Sequence, residues 1–167
     1  NYADLRNQLQ SDEEKKAFWI NLYNGFIQVL LKQNPDSYKN RGRFFTATQI
    51  TIAGKAFSSA DIAHGIPRRS KIKWSLGHLN KWFPNKTERE LRVTALDYRL
   101  HFALNGGAKS GPPIAFYNPE NLSPQLELAT DAYLQSEAQY HAASNKAKLP
   151  AILGWFRRDF GGTKGMI

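Results

Sequence analysis

Apolar positions recur at helical spacing in the stretch that opens at Ser11. Phe18, Leu22, Phe26 and Leu30 fall one turn apart, with Trp19, Tyr23 and Ile27 beside them, the stripe expected of a helix facing a core. The run begins with Ser11-Asp12-Glu13-Glu14, a capping-box order in which Glu14 returns a bond to its cap. It ends at Asn34-Pro35, and this predicts a long central helix. Downstream, Phe44 to Ile52 is β-branched and aromatic and runs into Ala53-Gly54-Lys55, the marks of a strand turning into a short hairpin. Ser58 or Ser59 is placed to cap a helical turn over Asp61 to Ile66, which Pro67 closes. From Tyr98 to Asn105 the pattern alternates, predicting a strand with Leu100, Phe102 and Leu104 on one face and His101, Ala103 and Asn105 on the other. Gly106 to Pro113 is then a loop.

Ser123-Pro124 is a cap and first-turn pair that opens the next helix, with Leu126, Ala129 and Tyr133 facing inward. Glu137 to His141 and Lys146 to Leu149, joined by an Ala-Ser-Asn turn, read as a second hairpin. Pro150 starts a last helix whose apolar side is Ile152, Leu153, Phe156 and Phe160, and Gly161-Gly162 stops it. There is no internal repeat, low-complexity tract or linker. The sum is an α+β chain, one domain over 1–167, with helices packed on a small, largely antiparallel sheet.

Composition removes several function classes. The 167 residues, 41% hydrophobic and 13% aromatic, suffice for a continuous core and exclude a disordered chain. Apolar runs such as Phe26 to Leu31 are broken by Gln28 and end at Lys32, well short of the roughly 20 residues of a membrane span, so a soluble chain is expected. With no Cys, disulfides, thiolate nucleophiles and Cys-ligated zinc drop out. No His-x-x-x-His or acidic triad is present, so neither a metal nor a cofactor is expected. The chain opens at Asn1 without an initiator Met or signal-like segment, which suggests truncated flanks and leaves the compartment open.

Charge adds a partner class. Lys and Arg number 23 against 14 Asp and Glu, a balance of +9. Arg68, Arg69, Lys71, Lys73, Lys81, Lys86, Arg89 and Arg92 are concentrated between His64 and Arg92, opposed by Glu88 and Glu90. Such a segment either attracts an anionic small molecule or an acidic protein, or is a solvated face. Trp74 and Trp82 within it add a nucleic-acid reading, in which cations meet phosphates and indoles stack on bases, although no recognised nucleic-acid motif accompanies them.

The candidate chemistry centres on LHFALNGGAKSGPP. On the predicted strand, His101 and Asn105 emerge together where Gly106 and Gly107 let the backbone bend and expose its N–H groups. Lys109 and Ser110 can then meet an anion held there; the plain alternative is a core histidine beside a turn. A phosphate-binding P-loop is excluded, because Ala108 precedes Lys109 and Pro112-Pro113 follow. Asn21, Asn24 and Gln28 share a stripe of the first helix, to cap neighbouring backbone or to line a cleft. Asp61 and His64 lie three apart on a helical turn, followed by Arg68 and Arg69.

In order and separation, KAFWINLYNGF, DIAHGIPRR, HFALNGGAKSGPP and LPAILGWFRRDFGG resemble the family catalogued as domain of unknown function 547, over nearly the whole chain from Asn1 to Gly162. The family pattern usually carries Cys where Gly106 and Gly111 stand and Glu where Ala63 stands. The resemblance therefore implies a family cleft that keeps His64, Arg68, His101, Asn105, Lys109 and Ser110 but has lost its thiols. Three functions stay open: a non-catalytic binding module that accepts an anionic group, a hydrolase with His101 or His64 as general base on water or on Ser110, and nonspecific nucleic-acid binding through 64–92.

Overall fold

The computed structural model describes residues 1–71, 82–84, 86–162 and 164. The opening helix α1 (Tyr2–Gln8) leads into α2 (Asp12–Gln33). Ser11 caps α2 as its sequence predicts: Ser11 Oγ accepts from Glu14 N at 3.1 Å, and Glu14 Oε2 accepts from Ser11 N at 2.8 Å. Asp12, in the first turn, uses its carboxylate to accept from Thr94 N, Thr94 Oγ1 and Ala95 N at 2.7–3.0 Å. That fastens the 93–95 strip to the helix start.

The fully buried stripe of α2 is Trp19, Tyr23 and Ile27 with Ile20 and Asn24, while Phe18, Leu22, Phe26 and Leu30 sit at its half-buried border. Helix α2 serves two clusters at once. Trp19, Tyr23 and Ile27 pack with Phe44, Phe57, Ile62 and Leu91, whereas Ala17 and Ile20 pack with Leu100, Tyr117 and Leu126.

Of the predicted first strand, residues up to Thr46 are helical instead: α3 (Arg41–Thr46) precedes β1 (Thr48–Ile52), because the Asn40 side chain accepts from Arg43 N and caps it. β1 pairs antiparallel with β2 (Lys55–Ser58) through Ala53 and Gly54, both at positive φ (49° and 76°), the twist a two-residue hairpin needs. Ser58 then caps as predicted, its Oγ accepting from Asp61 N at 3.1 Å and donating to Asp61 Oδ2 at 2.6 Å. The turn it opens, Asp61–Gly65, is a π-helix. After α4 (Lys86–Leu91), the predicted strand over 98–105 is not a strand. Tyr98–Phe102 is a 3₁₀-helix capped by Asp97, whose Oδ1 accepts from Arg99 N at 3.1 Å.

Helix α5 (Leu122–Glu137) begins one residue before Ser123, buries Leu126 and Tyr133, and packs on that 3₁₀-helix. The second hairpin, β3 (Gln139–His141) with β4 (Lys146–Lys148), turns at Asn145 with φ 50°. Helix α6 (Ala151–Trp155) is shorter than predicted and gives way to turns before Gly161 and Gly162, both left-handed. The fold is α+β, and among the described residues its antiparallel strands are divided between two separate two-stranded sheets. No helix among the described residues is long and apolar enough to cross a membrane.

Candidate functional site

Two asparagines on α2 strap the site's loops to the helix. Asn24 Nδ2 donates to the Ala103 carbonyl at 2.9 Å and Asn24 Oδ1 accepts from Asn105 N at 2.8 Å. One turn earlier, Asn21 makes the same two-way bond with the backbone of Tyr117, at 2.8 and 2.9 Å. These amides are structural, and Gln28 is exposed. Asn105 in turn braces its own loop, donating to the Pro112 carbonyl at 2.6 Å and accepting from Gly107 N at 2.7 Å. Its predicted partnership with His101 rested on a strand's alternation and does not hold; Asn105 shapes the loop and does not line the cleft.

That cleft is a cavity of about 960 Å³. It is lined by His64, Arg68, His101, Lys109 and Ser110, and by the loop from Gly106 to Pro112. Tyr23 of α2, Tyr38, and Arg41 and Phe45 of α3 form one side, while Tyr133 and Glu137 of α5 and Trp155 and Phe156 form another. Arg69 is exposed and lies outside the lining. Ala63, Gly106 and Gly111 all face into the same space.

Below the cavity lies an ion cluster centred on Asp159, a residue that none of the sequence motifs singles out. Asp159 Oδ2 accepts from Arg68 Nε at 2.8 Å and from His101 Nε2 at 2.8 Å, with Arg68 Nη2 at 2.7 Å. Arg68 and Asp159 are essentially inaccessible, at 1% and 0% exposure, so neither charge is tolerable without the other. Arg68 Nη1 lies 2.8 Å from His64 Nδ1. A guanidinium only donates, so His64 Nδ1 accepts and its ring proton sits on Nε2. Phe156 closes the cluster, stacked on His101 at 4.2 Å and 13°, with Arg68 Cζ 4.4 Å from its centroid.

The backbone that delivers Arg68 is strained to do so. Arg69 and Ser70 both take left-handed φ (54° and 63°), unusual for residues with a Cβ, and Ser70 N donates to the Gly65 carbonyl at 2.7 Å. Arg92 Nη1 donates to the buried Ser70 Oγ at 3.2 Å. Two cations of the basic segment, Arg68 and Arg92, are thus committed to the protein itself. Trp82 is 86% exposed, and Lys73, Trp74 and Lys81 lie outside the described residues.

Burial drives His101 toward its neutral form and below the ordinary histidine range; Asp159 opposes this and Arg68 reinforces it. Burial raises Asp159, but the hydrogen bond from His101 and the charge of Arg68 outweigh it and hold the carboxyl below its ordinary range. The Tyr23 phenol is pushed well above the tyrosine range by burial, so it keeps its proton. The cleft therefore presents the neutral imidazole of His101 over an internally compensated ion pair. No group of three or more potential metal-ligating His, Cys, Asp or Glu residues occurs among the described residues.

The profile of the family described as Protein of unknown function, DUF547 matches residues 7–134. The chain belongs to that family. No curated protein and no solved structure matches it. The DUF547 match contains His64, Arg68, His101 and the glycine loop, but Asp159 and Phe156, which complete the ion cluster, follow its end.

Proposed function

We propose that this DUF547 domain is a non-catalytic binding module whose cleft accepts an anionic group. The observation that supports this reading is the convergence of His64, Arg68, His101, Lys109 and Ser110, from three separate stretches of sequence, on one cavity of about 960 Å³. Ala63, Gly106 and Gly111 line the same cavity, so the positions at which the family resemblance implies a carboxylate and two thiols carry no reactive group. What remains is a site of donors: Lys109 and Ser110 are exposed at its mouth, and the Tyr23 hydroxyl is protonated. Titration calorimetry with phosphate, sulfate and acetate tests it. Millimolar binding weakened by Lys109→Ala is expected, and no heat from any of the three anions would sink the reading.

One geometric feature favours a second reading, general-base hydrolysis. His101 donates Nε2–H to Asp159 at 2.8 Å, which leaves Nδ1 as the acceptor on a residue that lines the cavity. Turnover of an activated ester that disappears in His101→Gln supports this reading, and a rate equal to the uncatalysed background removes it.

A further inference from the structure

The charges of the cleft are unevenly placed. Arg68, its most buried cation, is compensated by Asp159 at 2.7 Å, so the floor offers little net attraction. Two other cations line the cavity, Arg41 and Lys109, and Tyr38 bridges the elements that carry them. Its ring lies 4.9 Å from Arg41 Cζ, and its hydroxyl donates at 2.9 Å to the Gly106 carbonyl, at the start of the loop that carries Lys109. Glu137, the lining carboxylate among the described residues, ends α5 and belongs to the wall of Tyr133 and Pro150.

The lining also carries apolar side chains from other elements, Leu104, Ile152, Trp155 and Phe156. Trp155 keeps 63% of its surface exposed, a large indole uncovered at the mouth of a cavity, where an apolar partner gains most by covering it. The volume, about 960 Å³, lies near the top of the roughly 300–1,000 Å³ range of small-molecule sites and far exceeds what an inorganic anion fills.

We infer that the occupant is an amphipathic carboxylate, with its head at Arg41 and Lys109 and its apolar body along Leu104, Phe156 and Trp155. This rests on the anion-accepting reading and narrows it to a ligand class. The planar fork of Arg41 suits a carboxylate, Lys109 adds a mobile point charge, and Glu137 disfavours the reversed orientation.

The probes are decanoate, decanol and acetate, titrated calorimetrically into the unmodified chain, Lys109→Ala and Trp155→Ala; both substituted side chains are exposed, so the fold survives. Decanoate is expected to bind at least about tenfold more tightly than acetate, from burial of its methylenes. It should also bind about tenfold more tightly than decanol, from its charged head. Lys109→Ala should weaken decanoate and leave decanol unchanged, and Trp155→Ala should weaken decanoate and leave acetate unchanged. Acetate binding as tightly as decanoate overturns the amphipathic inference while the anion-accepting reading stands. Decanol matching decanoate, with Lys109→Ala silent, overturns the inference by showing an apolar site without a head subsite. If no carboxylate binds at all, the anion-accepting reading fails and the inference falls with it.

Discussion

His101 and Asp159, 58 residues apart in the chain, meet at 2.8 Å through Nε2 and Oδ2, and the same carboxylate oxygen holds Arg68. One oxygen thus joins the 3₁₀-helix, the strained turn after the π-helix and the segment that follows α6. Asp159 Oδ1 has no hydrogen-bond partner among the described residues, so the pairing there depends on a single atom.

Acid should loosen this domain in two stages. Burial, reinforced by Arg68, holds His101 below its ordinary 6.5 despite Asp159. Asp159 is held below its ordinary 3.8, its burial outweighed by the His101 bond and the Arg68 charge. For both groups the unfolded chain takes up protons first, so stability falls as pH falls. Each contribution is complete above the ordinary value and is lost as pH drops through the folded one. Urea midpoints measured from about pH 8 to about pH 3 should therefore decline first below about 6.5 and again below about 4. His101→Gln should flatten the upper decline and keep the lower. An unmodified chain with equal midpoints at pH 7 and pH 5 would show that His101 is not held neutral.

Removing one partner of the buried pair leaves the other charge stranded. Asp159→Ala should cost about 3–5 kcal/mol in a denaturant titration. Arg68→Met in that background should recover part of the loss, because an apolar side chain of similar length fills the space without a charge. Equal or greater destabilisation of the double variant would mean that the guanidinium matters through its stacking on Phe156 and its contact with His64.

Much of the fold was legible because its signals are local. The Ser11-to-Glu14 box, the Ala53-Gly54 turn and the Asn145 turn act within four residues of themselves. The stretch from 98 to 105 misleads because Leu100, Phe102 and Leu104 alternate, although Leu100, His101, Phe102 and Ala103 are all buried in succession. A segment covered by α2, α5 and the stretch from Phe156 to Phe160 needs no polar face, and the Asp97 cap was the one local sign of a helical turn. His64, His101 and the loop were found as residue types in suggestive company. Asp159 was not, because Arg157-Arg158-Asp159 reads as solvated charge. Only partners 58 and 91 residues away make it a buried one.

The helix that carries the core also separates two phenylalanine-class truncations that a periodicity plot treats alike. Trp19 is wholly buried against Phe18 and Phe57, with centroids at 5.0 and 5.6 Å, while Phe18 is half-buried at the border. Trp19→Ala should cost about 3–5 kcal/mol. Phe18→Ala should cost less, roughly 1–3 kcal/mol, in proportion to the smaller apolar area it covers. A larger loss at Phe18 than at Trp19 in parallel urea titrations would place the central face one residue away from where the packing puts it.

The two glycines at which the family resemblance implies thiols should respond differently to cysteine. Neither has the left-handed φ seen at Gly107, so backbone conformation does not forbid a side chain at either. Space does the separating. A Cβ at Gly106 would meet Phe45 Cζ at 3.4 Å and Tyr23 Oη at 3.5 Å, ordinary contacts at the cavity wall. At Gly111 it would fall 2.9 Å from the Ala108 carbonyl oxygen and 3.2 Å from Asn105 Nδ2, against the amide that braces the loop through Pro112. Gly106→Cys should therefore fold with a loss under about 1 kcal/mol and show a thiol that a small maleimide or disulfide probe labels, which the cysteine-free chain cannot. Gly111→Cys should lose roughly 1–3 kcal/mol, because the loop must shift to admit it. Labelling of Gly106→Cys should slow when decanoate occupies the cleft, since Gly106 lines the same cavity and opens the loop that carries Lys109. A Gly106 thiol that reacts at the same rate with and without saturating decanoate places the ligand elsewhere, whereas a Gly111→Cys chain as stable as the parent shows that the Asn105 brace yields without cost.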